Sequence, residues 1–213
     1  MSLIFREGTW DEDIFKSVNT HNEYQVKSFA NLTVLDVGGH VGSFSHLALT
    51  GGAKRVIAVE PDKESFLVLR HNLHYEALNG TSAICISAAV GGRNDLATLS
   101  PTRKGNTGEG RVGVGGKELV STGTLDSLIG LCDDKVNLLK LDVEGAEHDI
   151  LINSAKLHYV DNIVGEYHLG GEFSKNDLET LLVVNGFTTR FVPTQENALG
   201  LFWGWRTKHC FTF

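Results

Sequence analysis

Apolar positions along this chain follow two rhythms. Near-continuous aliphatic runs stand at "LTVLDV" (32–37), "RVIAVE" (55–60), "SAICIS" (82–87), "VNLLKLD" (136–142) and "DNIVGEYH" (161–168). Such runs predict parallel strands whose two faces are both covered by helices. Between them, "DKESFLVLRHNLHYEAL" repeats Phe66, Leu69, Leu73 and Leu78 at helical spacing. "SKNDLETLLVV" predicts a second amphipathic helix, capped by Ser174 with Asp177 three residues on. "GFTTRFV" and "LGLFWGWR" are strand-like with no helix between them, so the mostly parallel sheet should carry an antiparallel edge strand. The aromatics of "LFWGW" suit either core or interface. Residues 1–30 predict an N-terminal helical segment with Trp10, Ile14 and Phe15 as its anchors. Residues 100–118 hold six glycines and little periodicity, which predicts a long flexible loop.

With 213 residues, 41% hydrophobic and 21% charged, the chain has ordinary globular composition for one α/β domain over 1–213, and no run long enough to span a bilayer. The start lacks a secretion signal, and Cys85, Cys132 and Cys210 show no paired or metal-type spacing, so a cytoplasmic setting is expected. A formal charge of −7 makes nucleic acid a poor partner.

The chemistry starts at "VLDVGGHVGSFS" (34–45), where an aliphatic run ends in Asp36 and breaks into Gly38, Gly39, His40 and Gly42. A first strand-to-helix turn of this kind brings backbone near a ligand and offers a helix N-terminus. A carboxylate beside the first glycine would repel a pyrophosphate, and G-x-G-x-x-G is absent, so NAD and FAD are disfavoured. A ligand with a cationic amino-acid end fits instead, and S-adenosylmethionine is one. Glu60 closes the second run, where an acid accepts the ribose hydroxyls of an adenosine. Ala88, after the third run, is placed to line adenine or simply to fill core.

"LDVGGHVGSFS", "AVEPD", "TLDSL", "LLKLDVEGAEHDIL" and "GEYH" stand in the order and spacing of the FkbM-type class I methyltransferases, which the chain resembles over roughly residues 30–170. The resemblance implies a Rossmann-like seven-stranded sheet and methyl transfer, most often to a hydroxyl of a sugar or natural product. His40 stands where the family often has asparagine.

At the fourth strand's end, Asp142 and Glu144 share a face if the backbone stays extended, and Glu147 falls in the next helix's first turn. Glu166 and His168 share a face at the end of the fifth. Methyl transfer needs an aligned acceptor and a proton acceptor. His168, with an ordinary pKa near ~6.5, is the first choice of base and Asp142 the second. Asp142, Glu144, Glu166 and His168 could equally hold Mg²⁺. Leu141-Asp142-Val143-Glu144 stands where base-methylating enzymes carry Asn/Asp-Pro-Pro-Tyr, and acids there suit a small hydroxylated acceptor better. Transfer to nitrogen and a non-catalytic nucleotide-binding module are the alternatives. The loop at 100–118 is expected to close over the acceptor, with Arg103, Lys104, Arg111 and Asn106 facing it, against an idle insertion in which Glu109 and Glu118 balance the charge.

Overall fold

The computed structural model describes residues 3–74, 81–100, 112–113, 116, 118–133, 135–168, 173–194 and 199–206. The elements are α1 (Asp11–Asn19), β1 (Thr33–Val37), α2 (Ser43–Thr50), β2 (Arg55–Val59), α3 (Lys63–His74), β3 (Ser82–Ile86), β4 (Ala89–Gly91), β5 (Asp95–Leu99), β6 (Val112–Gly113), β7 (Glu118–Thr124), α4 (Leu125–Leu131), β8 (Val136–Leu141), α5 (Glu147–Ile152), β9 (Val160–His168), α6 (Lys175–Val184), β10 (Thr188–Pro193) and β11 (Leu199–Trp205).

Seven strands form one sheet in the order β10-β11-β9-β8-β1-β2-β3. Strands β3, β2, β1, β8 and β9 run parallel, and β11 is antiparallel to both neighbours. The antiparallel strand therefore lies one place inside the edge, and β10 is the edge. A short connection from β10 forces its successor to turn back, and β11 finds its second partner in β9 because Phe202 and Trp203 are fully buried on opposite faces there. The aromatics of "LFWGW" are thus core.

Alternation along each strand feeds two apolar layers. Leu35, Ile57, Leu139, Ile163 and Phe202 pack under α4, α5 and α6, while Val34, Val56, Leu138, Val164 and Trp203 pack against α2, α3 and the N-terminal segment. Asp36, Lys140, Glu166 and His168 lie on the second of these faces by strand parity, at or near the strands' carboxyl ends. The strand order reverses between β1 and β8, which opens the crevice where such sheets bind ligands.

Local expectations meet several outcomes. Ser174 and Asp177 form a reciprocal capping box on α6. In α3, Leu69 and Leu73 are buried and Phe66 is half-buried, while Leu78 lies outside the described residues. The N-terminal segment contributes one helix, α1, and its anchors are Ile14 and Phe15, the latter between Phe5 and His46; Trp10 is 55% exposed. Trp10 precedes α1 and points off the packed face. Residues 100–118 are not wholly irregular: β6 pairs with β5 and β7 opens at Glu118, giving a second sheet in the order β4-β7-β5-β6. Its core is small, Ala89, Leu99 and Val120, and Leu96 and Leu119 are exposed, so period-two burial is weakly written in the sequence. Arg103, Lys104, Asn106, Glu109 and Arg111 lie outside the described residues.

Candidate active site

At the crevice, Asp36 on β1 and Lys140 on β8 are cross-strand neighbours. Lys140 Nζ lies 3.3 Å from Asp36, 3.7 Å from Asp142 and donates to the Gly38 carbonyl at 2.5 Å. Burial alone would lower the Lys140 pKa, but Asp36 and Asp142 outweigh it and the ammonium is held charged. Asp36 has no exposed surface, and its other contact is a 2.6 Å bond from Ser45 Oγ. Asp36 was expected to meet the cationic end of a ligand, directly or through water; within the protein its carboxylate anchors Lys140, which braces the glycine turn. Lys140 stood in plain view as a charge inside "VNLLKLD", and that was the signal for it.

The glycines of the turn also serve the protein first. Gly38 has φ +81°, and a Cβ on it would meet the Asp142 carbonyl oxygen at 1.8 Å; on Gly42, at φ +92°, it would meet Leu73. At Gly38 the turn after β1 thus closely approaches the end of β8. Gly39 donates to the Val59 carbonyl, as does Gly38, and Gly42 caps α2 in the left-handed region.

Glu60 follows β2. Its Oε2 accepts from the His40 backbone N–H and its Oε1 from that of Asp62, each at 2.8 Å. Burial raises its pKa to about 7 against the opposing pull of these two bonds and of Lys140. His40, at φ +48°, faces Arg6 and Asp11, and burial holds its pKa down at about 4, leaving a neutral ring at pH 7. Ala88 is half-buried and packs against the layer under α4–α6.

Acids gather where β8 and β9 end. Glu144 has φ +56° and Gly145 φ +107°, so the chain turns here instead of staying extended. Asp142, Glu144 and His168 nevertheless converge, each offering a ligand atom within 4.8 Å of the others. His168 Nδ1 is 3.0 Å from Glu147 Oε1, and its Nε2 is 3.4 Å from Glu144. Glu147 is 3% exposed and accepts from the N–H groups of Val143 and Gly145. Burial would lower the His168 pKa, but the Glu147 bond and the charges of Glu147, Asp142 and Glu144 raise it to about 9. The expectation of an ordinary histidine near neutrality is corrected on that account: both ring nitrogens already face carboxylates. Glu166 is raised to about 8 by burial first and then by Asp142, with Glu23 and Glu144 adding to it.

Two groups here escaped the sequence. Tyr24, 4% exposed, donates its hydroxyl to Asp142 Oδ2 at 3.2 Å, and its carbonyl accepts from Trp203 Nε1 at 2.8 Å. Glu23 lies close enough to raise the Glu166 pKa. Neither residue sits in a motif, and only tertiary packing of the N-terminal segment brings it to the sheet.

The model of the methyltransferase FkbM domain matches residues 36–188. No curated protein matches the sequence. Among solved structures, the FkbM methyltransferase of Methylobacillus flagellatus KT aligns with TM-score 0.59 at 15% identity, over 90% of this chain and 48% of that one. The precorrin-6y C5,15-methyltransferase of Geobacter metallireducens GS-15 aligns with TM-score 0.51 at 13% identity, over 96% and 92%. The chain thus spans about half the length of the first of these two.

Proposed function

Because the chain belongs to the methyltransferase FkbM family and is accordingly an S-adenosylmethionine-dependent methyltransferase, we propose that it methylates a hydroxyl oxygen of a small polar acceptor such as a sugar or hydroxylated metabolite. The observation that carries this reading is the group of acids at the ends of β8 and β9: Asp142, Glu144 and Glu166, with Glu147 and Glu23 adjoining. An amine placed among them would be held protonated, its lone pair blocked. A hydroxyl stays neutral and needs only a proton acceptor within hydrogen-bond reach.

The residues present fit the cofactor. Glu60 suits the ribose hydroxyls, since each oxygen has one backbone donor and keeps a lone pair for another. The turn from Gly38 to Gly42 and the start of α2 suit the amino-acid end, with Lys140 bracing them, and Ala88 stands on the adenine side of β2. S-adenosylmethionine, when bound, supplies an electrophilic methyl on a sulfonium whose positive charge the neighbouring acids favour. Asp142 is the proton acceptor in this reading, oriented by Tyr24. His168 orients Glu144 and Glu147 instead of serving as base, and Glu166 lines the acceptor side.

A divalent cation is the second reading of the same acids, favoured by the 4.8 Å convergence of Asp142, Glu144 and His168. Mg²⁺ prefers an all-oxygen set, and the imidazole nitrogen suits Mn²⁺ or Zn²⁺ better. Among the described residues no helix is long and apolar enough to cross a membrane. Among the described residues Cys85 and Cys132 are free thiols, both pushed up to about 11 by burial.

The test is S-adenosylhomocysteine release from S-adenosylmethionine across a panel of sugars and their amino-sugar counterparts. Turnover on the hydroxylated members alone supports the reading. Turnover confined to the amines would replace it with nitrogen transfer.

A further inference from the structure

We infer that Arg6, in the segment ahead of the family-matched residues, is a positioning residue for the cofactor's ribose acid. The match begins at residue 36, so nothing in it accounts for this segment. Glu60 is held by two backbone N–H groups, one on each oxygen, from His40 and Asp62. Arg6 reaches the side chains of both those residues: its Nη2 is 3.2 Å from His40 Nε2 and its Nη1 is 3.8 Å from Asp62. The guanidinium is itself fixed by a fork to Asp11, Nε and Nη2 each at 2.9 Å from a carboxylate oxygen, and the Arg6 backbone N–H donates to the same group at 3.0 Å.

Asp11 has no exposed surface, so this anchor is sheltered from solvent screening. His40 is held in the left-handed region, where an L side chain rests only when its surroundings over-determine it. Arg6 is the group that ties His40 to Asp62 across the ribose acid. The planar fork matters here, because a lysine could meet one partner but not span three. Arg6 therefore sets the direction in which Glu60 presents its free lone pairs, and it does so without touching the acceptor side of the site. The cofactor pocket then extends beyond the matched domain into the N-terminal segment.

The inference rests on the reading of Glu60 as ribose acceptor, and a double-mutant cycle separates the two. Calorimetry with S-adenosylhomocysteine on the full chain compares wild type, Arg6→Lys, Glu60→Gln and the double variant. Arg6→Lys keeps a cation beside buried Asp11 and so preserves the fold, which an unchanged unfolding midpoint would verify; Arg6→Ala serves as the stronger lesion. Arg6→Lys is expected to weaken binding about 10-fold, and the double variant to bind no more weakly than Glu60→Gln alone, because both changes act through one group. Additive losses, or unchanged affinity in Arg6→Lys, would overturn the inference while leaving the ribose reading in place. Unchanged affinity in Glu60→Gln would overturn both.

Discussion

Lys140 is the residue on which the centre of the sheet turns. It is enclosed with Asp36, and removing either charge strands the other in the interior. Lys140→Met is expected to lower stability by about 3 to 5 kcal/mol, measured by urea unfolding, and the double variant with Asp36→Leu should recover much of it. Glu60 gives a pH test. Its pKa stands at about 7 in the free protein, and hydroxyls donating to the carboxylate favour the ionised form. Affinity for S-adenosylhomocysteine should therefore rise as pH rises through about 7 and level off above it, with a proton released on binding at lower pH. Burial keeps the nearby His40 ring neutral across that window and Asp36 and Asp142 keep Lys140 charged, so the slope belongs to Glu60. Glu60→Gln should bind more weakly by about 1 to 3 kcal/mol and lose this slope; a slope that survives would assign it to another group. At this scale the sequence exposed Asp36, Glu60, Asp142, Glu144, Glu166 and His168 as charges at strand ends. Their pairings were not legible, because Tyr24 meets Asp142 across 118 positions of chain and Glu144 reaches the cluster through a left-handed turn.

Elements were legible where burial is complete. Strands β1, β2, β8 and β9 are nearly continuous in apolar residues because helices cover both faces, and each was placed within a residue or two. The small sheet of β4 to β7 was missed because its core is three residues deep and several of its large side chains face solvent. The insertion of β11 between β9 and β10 is a pairing choice that no local pattern encodes. Caps, in contrast, are local. Ser174→Ala removes the hydroxyl half of the α6 capping box, leaving the backbone N–H of residue 174 to donate to Asp177, and should cost about 1 kcal/mol, checked by thermal unfolding of the otherwise intact chain. Gly38→Ala sets a Cβ against the Asp142 carbonyl and adds left-handed strain, so it should rank among the largest single-site losses and also disturb cofactor affinity. A stable Gly38→Ala with normal affinity would mean that the β1 turn and the β8 end are not locked together.

The whole molecule divides its labour across the sheet. One face packs α4, α5 and α6 as an apolar layer, the other packs the N-terminal segment, α2 and α3, with Asp36, Lys140 and Glu166 on it, and His168 at the end of β9 meets Glu147 at the start of α5. The carboxyl edge therefore holds Glu60, the proposed ribose acid, on one side of the strand reversal and the acids of the proposed acceptor region on the other, with the braced glycine turn between them. If a divalent cation belongs to Asp142, Glu144 and His168, turnover should vanish on adding EDTA and return with Mn²⁺ or Mg²⁺, and Glu144→Gln should weaken Mn²⁺ binding seen by electron paramagnetic resonance. Indifference to EDTA assigns the acids to proton transfer alone. If one crevice serves both cofactor and acceptor, a crystal structure with S-adenosylhomocysteine bound should show both ribose hydroxyls within roughly 3 Å of the Glu60 carboxylate and the sulfur directed at Asp142 and Glu166. A nucleoside bound away from Glu60, or a sulfur facing away from the β8 and β9 ends, would contradict it.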